Sequence, residues 1–211
     1  MTAPDMLARA LTIARLALAF GQVRRVTMHE DGEPESDTTH TFMLALLALE
    51  SAPRVGCDPA LAVQFAIVHD FPEVYAGDTN TAHGLTESEE TSKVAREAAA
   101  ILRLGTDLGD SPWLDLLARY EAQREPEARL VRYLDKVLPK LTHYLNGGAA
   151  LRQLGISEAG AREKHAVQGG LLALKYPELG EVRRLFEQAC ELVEDGIRSG
   201  VVVLAPTGER T

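Results

Sequence analysis

Four side chains in this 211-residue sequence keep company too apolar for them. His40 opens the run HTFMLALLALE, His69 and Asp70 close AIVHD, and Asp135 lies in the middle of LVRYLDKVL. A charge in such surroundings is costly unless it is paired or holds a metal. Two imidazoles and two carboxylates form a donor set suited to a divalent transition metal, with coordination positions left for water and a phosphate oxygen. Two further carboxylates, Glu73 and Asp78, follow the His-Asp doublet at once in HDFPEVYAGDT.

Such chemistry needs three separate segments to converge. Neighbouring helical residues differ by about 100° in direction, so a doublet serves one ion best at a helix end. Pro72 supplies that end, because it cannot donate to the carbonyl of Val68 and its ring crowds that carbonyl. The helical period runs through nearly the whole chain and no series of alternating strands appears, so the expected fold is an all-α bundle. One domain over residues 1–211 is expected, with the chemistry at about 20–145 and further helices at about 150–200.

Residues 5–20 read as a helix with Leu7, Leu11, Ala14 and Leu18 on its apolar face and Asp5 as a possible N-cap. Residues 23–37, polar and bearing Gly and Pro, read as a loop, after which Asp37 or Thr38 caps the His40 helix. Asp58-Pro59 opens the helix that ends in the doublet, and residues 76–86 form a loop. Helices follow at 87–104 and 112–123. Pro126 opens the Asp135 helix, which Gly147-Gly148 stop. Two more helices fit 157–174 and 178–198, and residues 201–206 read as a short strand or a packed tail.

Lys and Arg number 22 against 31 Asp and Glu, a net charge of −9. That balance argues against a nucleic-acid polymer as partner, since such a surface needs a cationic surplus. A small phosphorylated ligand remains compatible, because a bound cation supplies local positive charge. No window approaches a membrane span and no secretory signal is read, so no membrane partner and a cytoplasmic location are expected. Cys57 and Cys190 form no metal-ligand or CxxC spacing, which fits a reduced compartment.

Three segments, in order and on the expected helices, carry a resemblance. PESDTTHTFMLALL, AIVHDFPEVYAGDT and RYLDKVLPKL resemble the HD superfamily of metal-dependent phosphohydrolases, and within it the bacterial 5′-deoxynucleotidases. The resemblance implies an HD-type helical bundle in which His40, His69, Asp70 and Asp135 bind one divalent ion (Mn, Co, Fe, Ni, Zn or Mg). It implies that Glu73 and Asp78 are the catalytic, acid–base or water-positioning carboxylates. The implied activity is hydrolysis of a (deoxy)nucleoside 5′-monophosphate by metal-activated water. A deoxynucleoside triphosphate triphosphohydrolase and a non-catalytic metal or nucleotide sensor are the alternatives.

Arg24 and Arg25 stand where the resembling nucleotidases carry an Arg-Trp pair that contacts the nucleotide. Here Val26 takes the Trp position, a departure that bears on sugar and base preference. Arg24, Arg25, Thr79 and Lys140 are the expected substrate contacts, while Lys136, about 100° around from Asp135, is expected to face solvent or a partner. The helices beyond residue 150 lie outside the motifs, and a homodimer built through them is expected.

Overall fold

The apolar runs around His40, His69 and Asp135 become helices because each begins and ends on residues that punctuate the backbone. The computed structural model describes residues 6–205. In chain order it has α1 (Met6–Phe20), a hairpin of β1 (Arg24–Met28) and β2 (Pro34–Ser36), α2 (Asp37–Ser51), α3 (Pro59–Val68) and a short α4 (Glu73–Ala76). Then come α5 (Glu87–Leu108), α6 (Pro112–Ala122), α7 (Pro126–Leu145), α8 (Ala149–Gln153), α9 (Glu158–Lys175) and α10 (Gly180–Ser199). Asp58 caps α3 by accepting from the Ala60 N–H at 2.8 Å, with Pro59 in the first turn. Thr86 and Glu89 form a reciprocal capping box on α5. Gly147 and Gly148, at φ +62° and +79°, stop α7 as expected.

Helices α2, α3, α7 and α10 enclose the main core, where Leu44, Phe65, Leu130, Tyr133, Leu134 and Phe186 are buried. α7 packs against α2, α3 and α10, which is why Asp135 at its middle sits within reach of residues from two other helices. No helix among the described residues is long and apolar enough to cross a membrane.

Three local expectations are corrected. Residues 23–37 are not a plain loop but hold the antiparallel β1–β2 hairpin, paired Arg24 to Ser36 and Met28 to Pro34 with an irregularity between. The N-cap of α2 is Ser36, which accepts from the Thr39 N–H at 3.2 Å, and Asp37 is instead fully buried. The face of α1 expected to be inward is outward: Leu7, Leu11, Ala14 and Leu18 are exposed. Leu16 and Phe20 pack inward instead, Phe20 against Phe71 at 5.4 Å between ring centres. α1 is apolar on several sides, so period alone does not choose its buried face. The expected Asp5 cap lies outside the described residues. Residues 201–205 are a packed tail: Val202 is buried and the Val203 N–H donates to the Gly147 carbonyl.

Candidate active site

Three helices deliver the four suspected ligands to one point. His40 lies in the first turn of α2 and is 1% exposed. Its Nε2 is 3.0 Å from Asp135 Oδ1 on α7. α3 ends at Val68, and His69 and Asp70 occupy the turns between it and Glu73, as Pro72 requires. His69 donates from Nδ1 to the Ala66 carbonyl at 2.8 Å, which turns Nε2 towards the carboxylates. That nitrogen is buried, 2.9 Å from Asp70 Oδ2 and 3.9 Å from Asp135 Oδ1, yet has no hydrogen-bond partner among the described residues. One donor atom from each of His40, His69, Asp70 and Asp135 lies within 4.8 Å of the others. A buried ring nitrogen with no hydrogen-bond partner, set among carboxylate oxygens, is where a cation can be held. The residues therefore fit one divalent ion, its identity left open by a mixed nitrogen and oxygen set.

Beside this cluster stands Arg25. Strand residues alternate sides, so Arg25 and Thr27 on β1 turn inward while Arg24 turns out. The Nη1 of Arg25 lies 2.8 Å from Asp70 Oδ2 and 3.0 Å from Asp37 Oδ1. It is also 3.8 Å from Glu73 Oε2 and 4.0 Å from Asp78 Oδ1. Four carboxyl groups thus share one guanidinium. Burial and the neighbouring Asp70, Asp37 and Asp78 push Glu73 up to about 11 against the pull of Arg25. Asp78 is raised too, mainly by burial. Burial opposes ionisation of Asp70, but His69 and then Arg25 hold it below the usual carboxylate range.

The family model described as HD domain matches residues 21–174. The chain belongs to the HD domain family. It is 29% identical over 125 residues to 5′-deoxynucleotidase HDDC2 of Danio rerio, a match covering 56% of this chain and 60% of that protein. It is also 29% identical over 114 residues to 5′-deoxynucleotidase hdd1 of Schizosaccharomyces pombe, covering 51% and 56%. The chain therefore spans about 60% of the length of the curated relatives it matches. A crystal structure of a predicted metal-dependent phosphohydrolase from Magnetospirillum magnetotacticum MS-1 shares its fold, with a TM-score of 0.69 over 95% of this chain and 98% of that one at 23% identity.

His40 has a supporting carboxylate that was not among the expected site residues. Glu35, 1% exposed, accepts from His40 Nδ1 at 3.1 Å. Burial opposes its charge, but the bond and charge of His40 outweigh burial and hold Glu35 below its ordinary pKa. A carboxylate on the far nitrogen fixes the orientation of a ligating imidazole and raises its basicity. We expect Glu35→Gln to weaken metal binding about 10- to 100-fold, measured by calorimetric titration of the stripped protein. The signal was present in PESDTTH, but without the hairpin nothing places Glu35 against His40. Lys136 keeps much of its side chain in solvent and also folds back to Asp135, with its Nζ 2.8 Å from Oδ2.

The remaining expected substrate contacts in the HD domain separate. Arg24 is exposed and donates to the Gly21 carbonyl at 3.4 Å. Thr79 lines the cleft and accepts from Arg96 at 3.0 Å. Lys140 is buried apart from the ligands and donates to Gln168 at 2.8 Å.

Proposed function

We propose that the protein hydrolyses the phosphomonoester of (deoxy)nucleoside 5′-monophosphates, releasing nucleoside and phosphate. One observation carries the reading. Next to the cluster of His40, His69, Asp70 and Asp135 lie a largely buried arginine, Arg25, and two further carboxyls, Glu73 and Asp78, that ligation does not require. His40, His69, Asp70 and Asp135 would hold a divalent cation, which when bound would supply acidification of a water molecule and polarisation of a phosphoryl oxygen. Arg25 supplies a guanidinium for the other phosphate oxygens, and its Nε has no hydrogen-bond partner among the described residues. Glu73 and Asp78, both with raised proton affinity, hold the water and move protons between it and the leaving oxygen. The names of the curated relatives support a deoxynucleotide as substrate.

The reading includes a cytoplasmic setting, supported by two buried cysteines that are not paired with each other. It also includes a homodimer, supported by Val167, Leu171 and Leu174, exposed on α9. The test is a metal-reconstituted screen against ribo- and deoxynucleoside mono- and triphosphates. Free phosphate from the monophosphates is the expected result. Tripolyphosphate released from triphosphates alone, or binding without turnover, would overturn the reading.

A further inference from the structure

The cleft at the ligand cluster does not end at Asp135. It runs along α7 into a second chamber of about 130 Å³. Arg25, Asp78, Thr79, Asp135 and Lys136 line both spaces. Farther in, the walls change character: Pro139, Leu151, Leu154, Ile156 and Ala161 present an apolar surface. Lys140, five residues beyond Asp135, sits about 7 Å farther along the helix axis.

The cationic groups here are mostly committed. Lys164 donates to the carbonyls of Thr81 and Ala82 at 3.2 and 3.0 Å, and Lys136 is tied to Asp135. Lys140 is the exception. It is buried, its Nζ donates to Gln168 at 2.8 Å and lies 5.5 Å from the Phe186 ring, and no ion pair among the described residues includes it. Burial lowers it to about 8, so it is still mainly an ammonium at neutral pH. Burial, helped by Lys140, also holds His143 down at about 3 and lowers His165, so neither ring adds charge.

A phosphate dianion calls for several converging charged donors. Of the lysines lining this chamber, Lys140 is the one neither ion-paired nor given to backbone carbonyls among the described residues, and it has N–H bonds beyond the one given to Gln168. An apolar wall with a few fixed polar groups suits a flat, neutral heterocycle instead. We infer that the chamber is the nucleobase subsite, and that Lys140 and the Gln168 amide donate to a ring carbonyl of the base. The inference rests on the nucleotidase reading above. Uracil, thymine and guanine carry such a carbonyl, whereas adenine carries none and would set its amino group against donors.

The experiment compares dUMP, dAMP and 2-deoxyribose 5-phosphate, which has no base. We expect kcat/KM for dUMP to exceed that of the other two by about tenfold or more, the worth of a buried hydrogen bond to a charged donor. Lys140→Met should collapse the ratio of dUMP to the sugar phosphate towards one. Leu154→Trp, which fills the chamber from its apolar wall, should do the same and guards against misfolding of the first variant. An equal loss on all three substrates would place Lys140 on the phosphate and overturn the inference, as would equal rates in the unaltered enzyme. Calorimetric binding of dUMP and of the sugar phosphate to metal-loaded Glu73→Ala needs no turnover. If no phosphomonoester is hydrolysed, the phosphatase reading falls, and the subsite is then judged by this binding difference. Tighter binding of dUMP supports it, and equal binding overturns it.

Discussion

Glu73→Ala is expected to cut phosphate release from a deoxynucleoside 5′-monophosphate by about 10²- to 10⁴-fold, the usual worth of a positioned general acid or base. Metal content should stay at the level of the unaltered protein. Glu73 stands outside the cluster of His40, His69, Asp70 and Asp135, and its Oε2 is buried with no hydrogen-bond partner among the described residues. Its proton is held by burial first, and then by the repulsion of Asp70, Asp37 and Asp78. A carboxyl kept in that state lowers stability: folded protein holds a proton there that the unfolded chain releases above its ordinary pKa, so stability falls as pH rises beyond about 4.5. Removing the group should therefore leave the melting temperature at neutral pH unchanged or higher. Glu73→Gln keeps the shape and a neutral amide but cannot exchange a proton, so it should lose as much activity as alanine. Phosphate release, metal analysis and scanning calorimetry together check the pattern. Normal turnover in either variant would remove Glu73 from the chemistry, and loss of metal and stability along with activity would make its role structural.

The clustering of His40, His69, Asp70 and Asp135 was legible because their types conflict with their neighbours. An Asp inside LVRYLDKVL has no cap to form, and a His-Asp doublet ahead of Pro72 has a helix end to occupy. The helix boundaries were legible for a related reason, since Asp58-Pro59, Ser111-Pro112 and Gly147-Gly148 each act on the backbone locally. The hairpin was not. Its inward residues are Arg25, Thr27 and Glu35, which are polar because they face the site rather than the apolar core. A pattern that infers burial from apolar side chains fails where the buried side chains are charged. The same failure hid the difference between Arg24 and Arg25, which only the alternation of a strand creates. It also hid Glu35, five residues before His40 in a stretch that reads as loop. In α1 the difficulty is the reverse, since too many apolar residues leave the inward face to be chosen by partners such as Phe71.

Metal uptake by the stripped protein is expected to release a proton and to tighten roughly tenfold per pH unit between about pH 7 and 9. The reason lies at His40. Both its ring nitrogens face carboxylate oxygens, Glu35 on one side and Asp135 on the other, and carboxylates only accept. Burial alone would lower its pKa, but the hydrogen bonds to Asp135 and Glu35 outweigh burial and raise it to about 9. A ligating imidazole must give up the proton on its coordinating nitrogen, so uptake competes with protonation until the pH passes that value. The same linkage acts on folding. His40 binds its proton more tightly folded than unfolded, so the stripped protein gains stability that is complete below about pH 6.5 and is lost as pH rises through 9. The loss is on the order of 3 kcal/mol, from a shift of about 2.5 units. The melting temperature of the stripped protein should therefore fall across that interval, and the gap to the metal-loaded protein should widen. Asp135→Asn removes both a ligand and the stronger of the two partners, so it should no longer retain metal through desalting, and its stability should depend less steeply on pH. Titrations in buffers of different ionisation enthalpy count the protons released. A flat affinity from pH 7 to 9 with no proton released would mean that His40 is neutral before the ion arrives, and that its hydrogen bonds to Glu35 and Asp135 do not compete with ligation.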